Sequence, residues 1–135
     1  NDNTRLALVS VATEDYLYDL SLQRFSASRD SSVFAGIRDE YIESVLHAIV
    51  DAEDRSWRLI GRNVRHILLL HANKLNAMFL DELLESITAI GYSFISFERA
   101  ISDKVYRQKD SYYGSRGVSI LERIELSEPD LSSTK

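Results

Sequence analysis

The stretch "HILLLHANKLN", residues 66–76, sets four consecutive aliphatic residues, Ile67 to Leu70, between two histidines and then turns abruptly polar. A short run that is apolar on both faces reads as a parallel β-strand covered on both sides, because a half-exposed strand would alternate. The fold therefore turns on what flanks it.

On the C-terminal side, Leu75, Met78, Phe79, Leu83, Leu84 and Ile87 fall on one side of a helix over 75–90, with Gly91 placed as a left-handed C-cap. "YSFIS" (92–96) reads as another strand and "FERAISD" (97–103) as a short helix. On the N-terminal side, Phe34, Ile37, Tyr41, Val45, Ala48, Ile49, Ala52 and Trp57 recur at three- and four-residue steps, which predicts the longest helix, from Val33 to about Gly61. Before it lie a loop, "SASRDSS" (26–32), and a helix from Asp15 to about Ser28 carrying Tyr16, Leu17, Leu20 and Phe25. "LALVSV" (6–11) reads as a first strand, and Thr13, Glu14 and Asp15 supply a cap and acidic first turn directly behind it. Strand-helix alternation of this kind implies an α/β fold of parallel strands with helical crossovers. "KVYRQKDSYYGSRG" (104–117) is irregular, "VSILERI" (118–124) suits a last helical turn or two, and residues 126–135 read as a polar, disordered tail behind one domain over 1–125.

Composition narrows the function classes. With 135 residues, 44% hydrophobic and 27% charged, the chain fits one globular domain of ordinary size. Sixteen basic against 21 acidic residues give a net charge of −5, which disfavours non-specific nucleic-acid binding. The absence of cysteine excludes disulfides and thiolate metal sites without naming a compartment. No apolar stretch approaches the roughly 20 residues needed to span a bilayer. The non-methionine start at Asn1 suggests a processed chain or a fragment, and because it leads straight into the first expected strand, a fragment is preferred over a split partner or an inactive remnant.

Catalytic groups in parallel α/β folds collect at the carboxyl ends of the strands, and His71 stands at such an end. Its imidazole suits general acid or base work near neutrality; the competing reading is a satisfied strand-end histidine. Asn73 and Asn76 can fix the loop, cap the next helix or contact a polar substrate. Glu14, Asp15 and Asp19 lie on the same rim, where a carboxylate can orient His71 or simply complement the helix dipole. His66 and His71 are five apart, so in a strand they face opposite ways and do not chelate one ion. His47, with Glu43 and Asp51 four residues to either side, can share a helix face with them, a pattern that is more often solvated charge. Arg55, Arg58, Arg62 and Arg65 form a basic run near a helix C-terminus. "YYGSRG" (112–117) lacks the spacing of a phosphate loop, and there is no Gly-x-Ser-x-Gly elbow and no metal-ligand helix.

The stretch "ILLLHANKLNAMFLDELLESITAIGYSFISFERAISDKVY" (67–106), with the later "YYGSRGVSILERI", resembles the C-terminal part of the polysaccharide deacetylase family, the NodB-homology enzymes of carbohydrate esterase family four. The likeness runs over roughly Leu8 to Ile124 and includes the family's leucine-histidine motif as Leu70-His71. It implies part of a distorted (β/α) barrel, a metal-dependent hydrolase that removes N-acetyl groups from a polysaccharide or amino-sugar polymer, and His71 as the general acid. By the same resemblance "VSVATEDYLYDL" (9–20) matches an earlier motif whose end falls on Asp15-Tyr16, while its first aspartate, which tunes the histidine, falls on Ala12. Asp15 is then a second catalytic residue, with Tyr16, Asn73 and Asn76 as rim or substrate residues. The family's divalent metal, typically zinc, and its base are held by an Asp-Asp pair and a His-x-x-x-His motif that this sequence lacks. No metal is expected to bind this chain alone, and a missing N-terminal half or another copy is expected to cover its strand edges. Family members are often secreted or periplasmic. The alternative is a non-catalytic α/β carbohydrate-binding or interaction module.

Overall fold

The computed structural model of the chain describes residues 6–26, 30–109 and 111–127. Its spine is the longest helix, α2 (Ser31–Ile60), started by Asp30, whose carboxylate accepts from the Ser32 N–H at 2.9 Å, and ended by Gly61 at φ 77°. Glycine suits that left-handed end because it has no Cβ to clash. Ile37, Tyr41, Val45, Ile49, Ala52 and Ser56 form one buried stripe along it, at the three- and four-residue steps the sequence displays. Trp57, expected on that stripe, is 54% exposed.

Helix α3 (Lys74–Ala89) lays Leu75, Phe79, Leu83 and Ile87 against α2 and stops before Gly91, which takes φ 98°. Helix α1 (Asp15–Phe25) packs on both, and α5 (Ile120–Ser127) adds Ile120, Leu121 and Ile124. Between α3 and α5 come a short α4 (Phe97–Ile101) and a 3-10 turn, Lys104–Arg107. Leu22, Tyr41, Val45, Leu75, Leu83, Ile120 and Leu121 are wholly buried, so one core joins the four longer helices. Complete burial stabilises each of the leucines by about 1.5–3 kcal/mol relative to exposure.

The expected α/β architecture, parallel strands with helical crossovers forming part of a distorted (β/α) barrel, is not what the chain adopts. Among the described residues there is no sheet: the only β pairing is an isolated parallel bridge between Val11 and Leu68. Ser10 and Val11 donate to the Ile67 carbonyl, each at 3.1 Å, and Leu69 donates to Val11 at 3.0 Å. Segment 92–96, expected as a strand, takes no regular secondary structure and joins no ladder. The reason is physical. An apolar run demands burial, and here Leu68 and Leu70 find it against the helical core while Leu69 stays 44% exposed. Burial does not supply the successive neighbours that a ladder, let alone a closed barrel, requires.

In α1 the apolar residues Tyr16, Leu17, Leu20 and Phe25 are each 45–49% exposed, and the helix turns Asp15, Asp19 and Leu22 inward. The expected tail begins at 126, yet Leu126 and Ser127 close α5; positions 128–135 lie outside the described residues. Among the described residues no helix is long and apolar enough to cross a membrane.

Candidate functional site

Two backbone segments meet at the start of α1: the 66–70 run ends beside it, and residues 71–76 then turn into α3. Asn73 makes that turn by capping, its Oδ1 accepting from the Asn76 N–H at 2.9 Å while its own N–H donates to the His71 carbonyl at 3.0 Å. Of the roles open to Asn73, it fills the helix cap.

Helix α1 grips the same loop through its two inward carboxylates. Asp15 Oδ2 accepts from the His71 N–H at 2.8 Å and Asp19 Oδ1 accepts from the Leu75 N–H at 2.9 Å. Asp15 Oδ1 lies 2.6 Å from His71 Nδ1. An ionised carboxylate only accepts, so Nδ1 carries a proton and the neutral ring leaves Nε2 as its bare nitrogen. The Asp15 side chain is fully buried and that of His71 is 53% exposed, with Nε2 bonded to none of the described residues. Such an arrangement, a buried carboxylate beneath a half-exposed imidazole, can orient the ring and leave one nitrogen open for proton transfer.

Burial works to raise the Asp15 carboxyl, but the His71 backbone N–H, the His71 imidazole and the Asn76 amide together outweigh it and hold it below the usual carboxylate range. Asn76 donates from Nδ2 to Asp15 Oδ2 and to the His71 carbonyl, both at 2.8 Å, so it braces the loop from beneath. Its Oδ1 accepts from the hydroxyl of Tyr41, a wholly buried residue of α2. Tyr16 stands edge-on to His71, ring centroids 6.4 Å apart at 81°, and is 49% exposed.

Five of the residues singled out in the sequence thus gather at one place: His71 and Tyr16 face solvent, Asp15 lies buried beneath the imidazole, and Asn73 and Asn76 shape the loop. Glu14 only precedes α1 and makes no side-chain capping bond. Tyr41 was legible only as an apolar helix position, because nothing local marks a hydroxyl whose partner lies 35 residues away. Ala12 offers no carboxylate; Asp15 supplies the contact to His71.

The remaining polar residues serve the frame. His66 sits between Ser10 Oγ at 3.0 Å and Asn63 Oδ1 at 2.8 Å. Arg55 and Arg58 bind Glu125, and Arg62 binds Asp103. Arg65 donates to the Arg99 carbonyl and Ser102 Oγ. His47 and Glu43 are 3.8 Å apart and 74% exposed on each side chain, the solvated helix face already expected. Among the described residues no three histidine, cysteine, aspartate or glutamate side chains gather closely enough to hold a metal ion. These residues therefore do not fit the divalent metal that the resemblance implies. Comparison of the chain with protein-family models, curated proteins and solved structures found no match.

Proposed function

We propose that this chain supplies the general acid of a hydrolase that removes N-acetyl groups from a polysaccharide or amino-sugar polymer, with His71 as the acid and Asp15 as its partner. The observation that carries the reading is the 2.6 Å contact between His71 Nδ1 and a fully buried carboxylate, with the far side of the ring exposed. When the acetamide C–N bond breaks, the departing nitrogen must gain a proton to leave as an amine. His71 as imidazolium gives it from Nε2, and Asp15 keeps the Nδ1 proton in place throughout. The choice of an N-acetylated polymer rests on the likeness of residues 67–106 to the deacetylase family.

The test is acetate release from N-acetylglucosamine oligomers by the full-length product of the encoding gene, supplied with Zn²⁺. His71→Ala should lower kcat by about 10²–10⁴-fold, the usual worth of a positioned acid. An undiminished rate in that variant sinks the assignment.

A second reading is a non-catalytic carbohydrate-binding or interaction module, favoured by exposed rings at Tyr16, Phe94 and Phe97, which are 49, 59 and 48% accessible. Retention of the oligomers without acetate release selects it.

A further inference from the structure

The Tyr41 hydroxyl, the Asn76 amide, the Asp15 carboxylate and the His71 imidazole form one continuous line of hydrogen bonds from the core to the surface. Its direction is fixed by chemistry. Asp15 and the His71 carbonyl only accept, so the Asn76 NH₂ must face them and its oxygen must face Tyr41, which then donates. Burial, and after it the charge of Asp15, pushes the Tyr41 hydroxyl well above its usual value, so it stays protonated and remains a donor.

A carboxylate turns easily, because rotation about its terminal bond is broad and nearly two-fold. Asp15 is reached by three donors: the His71 N–H and Asn76 Nδ2 on Oδ2, and the His71 ring on Oδ1. Without Asn76, the carboxylate is left with donors from His71 alone, the residue it is meant to orient. Asn76 also ties the His71 carbonyl to α3, fixing the backbone from which the ring projects.

We propose that Asn76, oriented by Tyr41, is a positioning residue for the His71 acid: it holds the Asp15 carboxylate in the one rotation that keeps the Nδ1 proton on His71 and Nε2 facing outward. This role in the reaction rests on the reading of His71 as an acid; the effect on its tautomer does not. Neither residue touches the exposed face of the imidazole. A buried pair with a merely structural duty would lower stability when altered and leave the ring as it was.

The experiment takes Asn76→Leu, close in volume, and Tyr41→Phe, which removes one oxygen. The Nδ1-H to Nε2-H tautomer ratio of neutral His71 is read from long-range ¹H–¹⁵N correlations on the chain, and kcat and KM for acetate release are measured on the full-length protein. Asn76→Leu should lower the tautomer ratio and kcat by roughly tenfold each, about the worth of one charge-assisted hydrogen bond, with KM nearly unchanged. Tyr41→Phe should move both the same way by a smaller factor, and it decides the matter if Asn76→Leu does not fold. If either readout stays at its wild-type value in the folded variants while only Tm falls, the positioning role is wrong. If the wild-type protein releases no acetate, the deacetylase reading fails, and the tautomer ratio alone then decides whether Asn76 orients the ring.

Discussion

The guanidinium of Arg62 meets both oxygens of Asp103, at 2.6 and 2.9 Å, and fastens the loop after α2 to the turn after α4. Asp103 Oδ2 also accepts from the Arg65 N–H and Oδ1 from the Val105 N–H, each at 3.0 Å. The Arg62 side chain is 45% exposed and that of Asp103 only 4%, so the carboxylate carries most of the burial. Asp103→Asn leaves a bidentate arginine facing a neutral amide and should cost about 2 kcal/mol or more in urea denaturation at pH 7.

The same carboxylate shapes the acid response. The Arg62 guanidinium, against the opposing pull of burial and with help from two backbone N–H groups, holds Asp103 far below its ordinary value of 3.8. A depressed carboxyl contributes stability that is whole above the unfolded-state value and is lost as pH falls below it toward the folded-state value. The urea midpoint should therefore drop between about pH 5 and pH 2, and Asp103→Asn should flatten that slope. An unchanged slope in the variant counts against Asp103 as the source.

Asp15→Asn keeps the shape beneath His71 and removes the charge that balances an imidazolium. We expect kcat for acetate release to fall at least about a hundredfold. On the proposed reading the two groups act as one unit, so the Asp15→Asn, His71→Ala double variant should be hardly slower than His71→Ala alone. Multiplying losses in the double-mutant cycle would show that the two residues act separately.

Burial lowers the pKa of His66 below its ordinary 6.5, against the smaller opposing charges of Glu53 and Asp103. The folded protein then resists a proton that the unfolded chain accepts, so this contribution to stability is present above about pH 6.5 and declines as pH falls through that value. Thermal melts at pH 7.5 and 5.5 should show the difference, and it should shrink in His66→Gln. Equal pH dependence in the two proteins would falsify the assignment.

One substitution at two sites separates backbone from packing. A Cβ on Gly61 or on Gly36 meets nothing within 4 Å, but Gly61 has φ 77° and Gly36 lies within α2. Gly61→Ala should cost about 1–2 kcal/mol and Gly36→Ala should stabilise by about 0.5–1 kcal/mol, both read from urea midpoints. The same sign at both sites would refute the backbone argument.

The helices were legible because periodicity reports which side of a segment is buried, and Ile37, Tyr41, Val45 and Ile49 repeat that report along α2. The strands are not legible for the same reason: Ile67 to Leu70 declare burial, and burial says nothing of the partner that receives each N–H. Helix α1 shows the limit from another side, since Leu17 and Leu20 are exposed while Asp15 and Asp19 point inward. Apolar spacing cannot anticipate a helix whose inner edge is polar. The meeting of His71 with Asp15 was nonetheless within reach, because both close onto the same end of the 66–70 run whether or not a sheet surrounds it. Tyr41 was not, its hydroxyl being indistinguishable in sequence from one more apolar contact.

Asp15 and Asp19 are four residues apart, and so are the amides they receive, at 71 and 75. The carboxylates of one helical turn are thus matched in pitch to one stride of the facing loop, like two teeth of a gear. A single-residue deletion between the two positions of either segment would put the carboxylates and the amides out of step. Two acidic residues one turn apart, opposite a histidine and a helix start at the same interval, form a local signature that requires no sheet and can be sought in other helical chains.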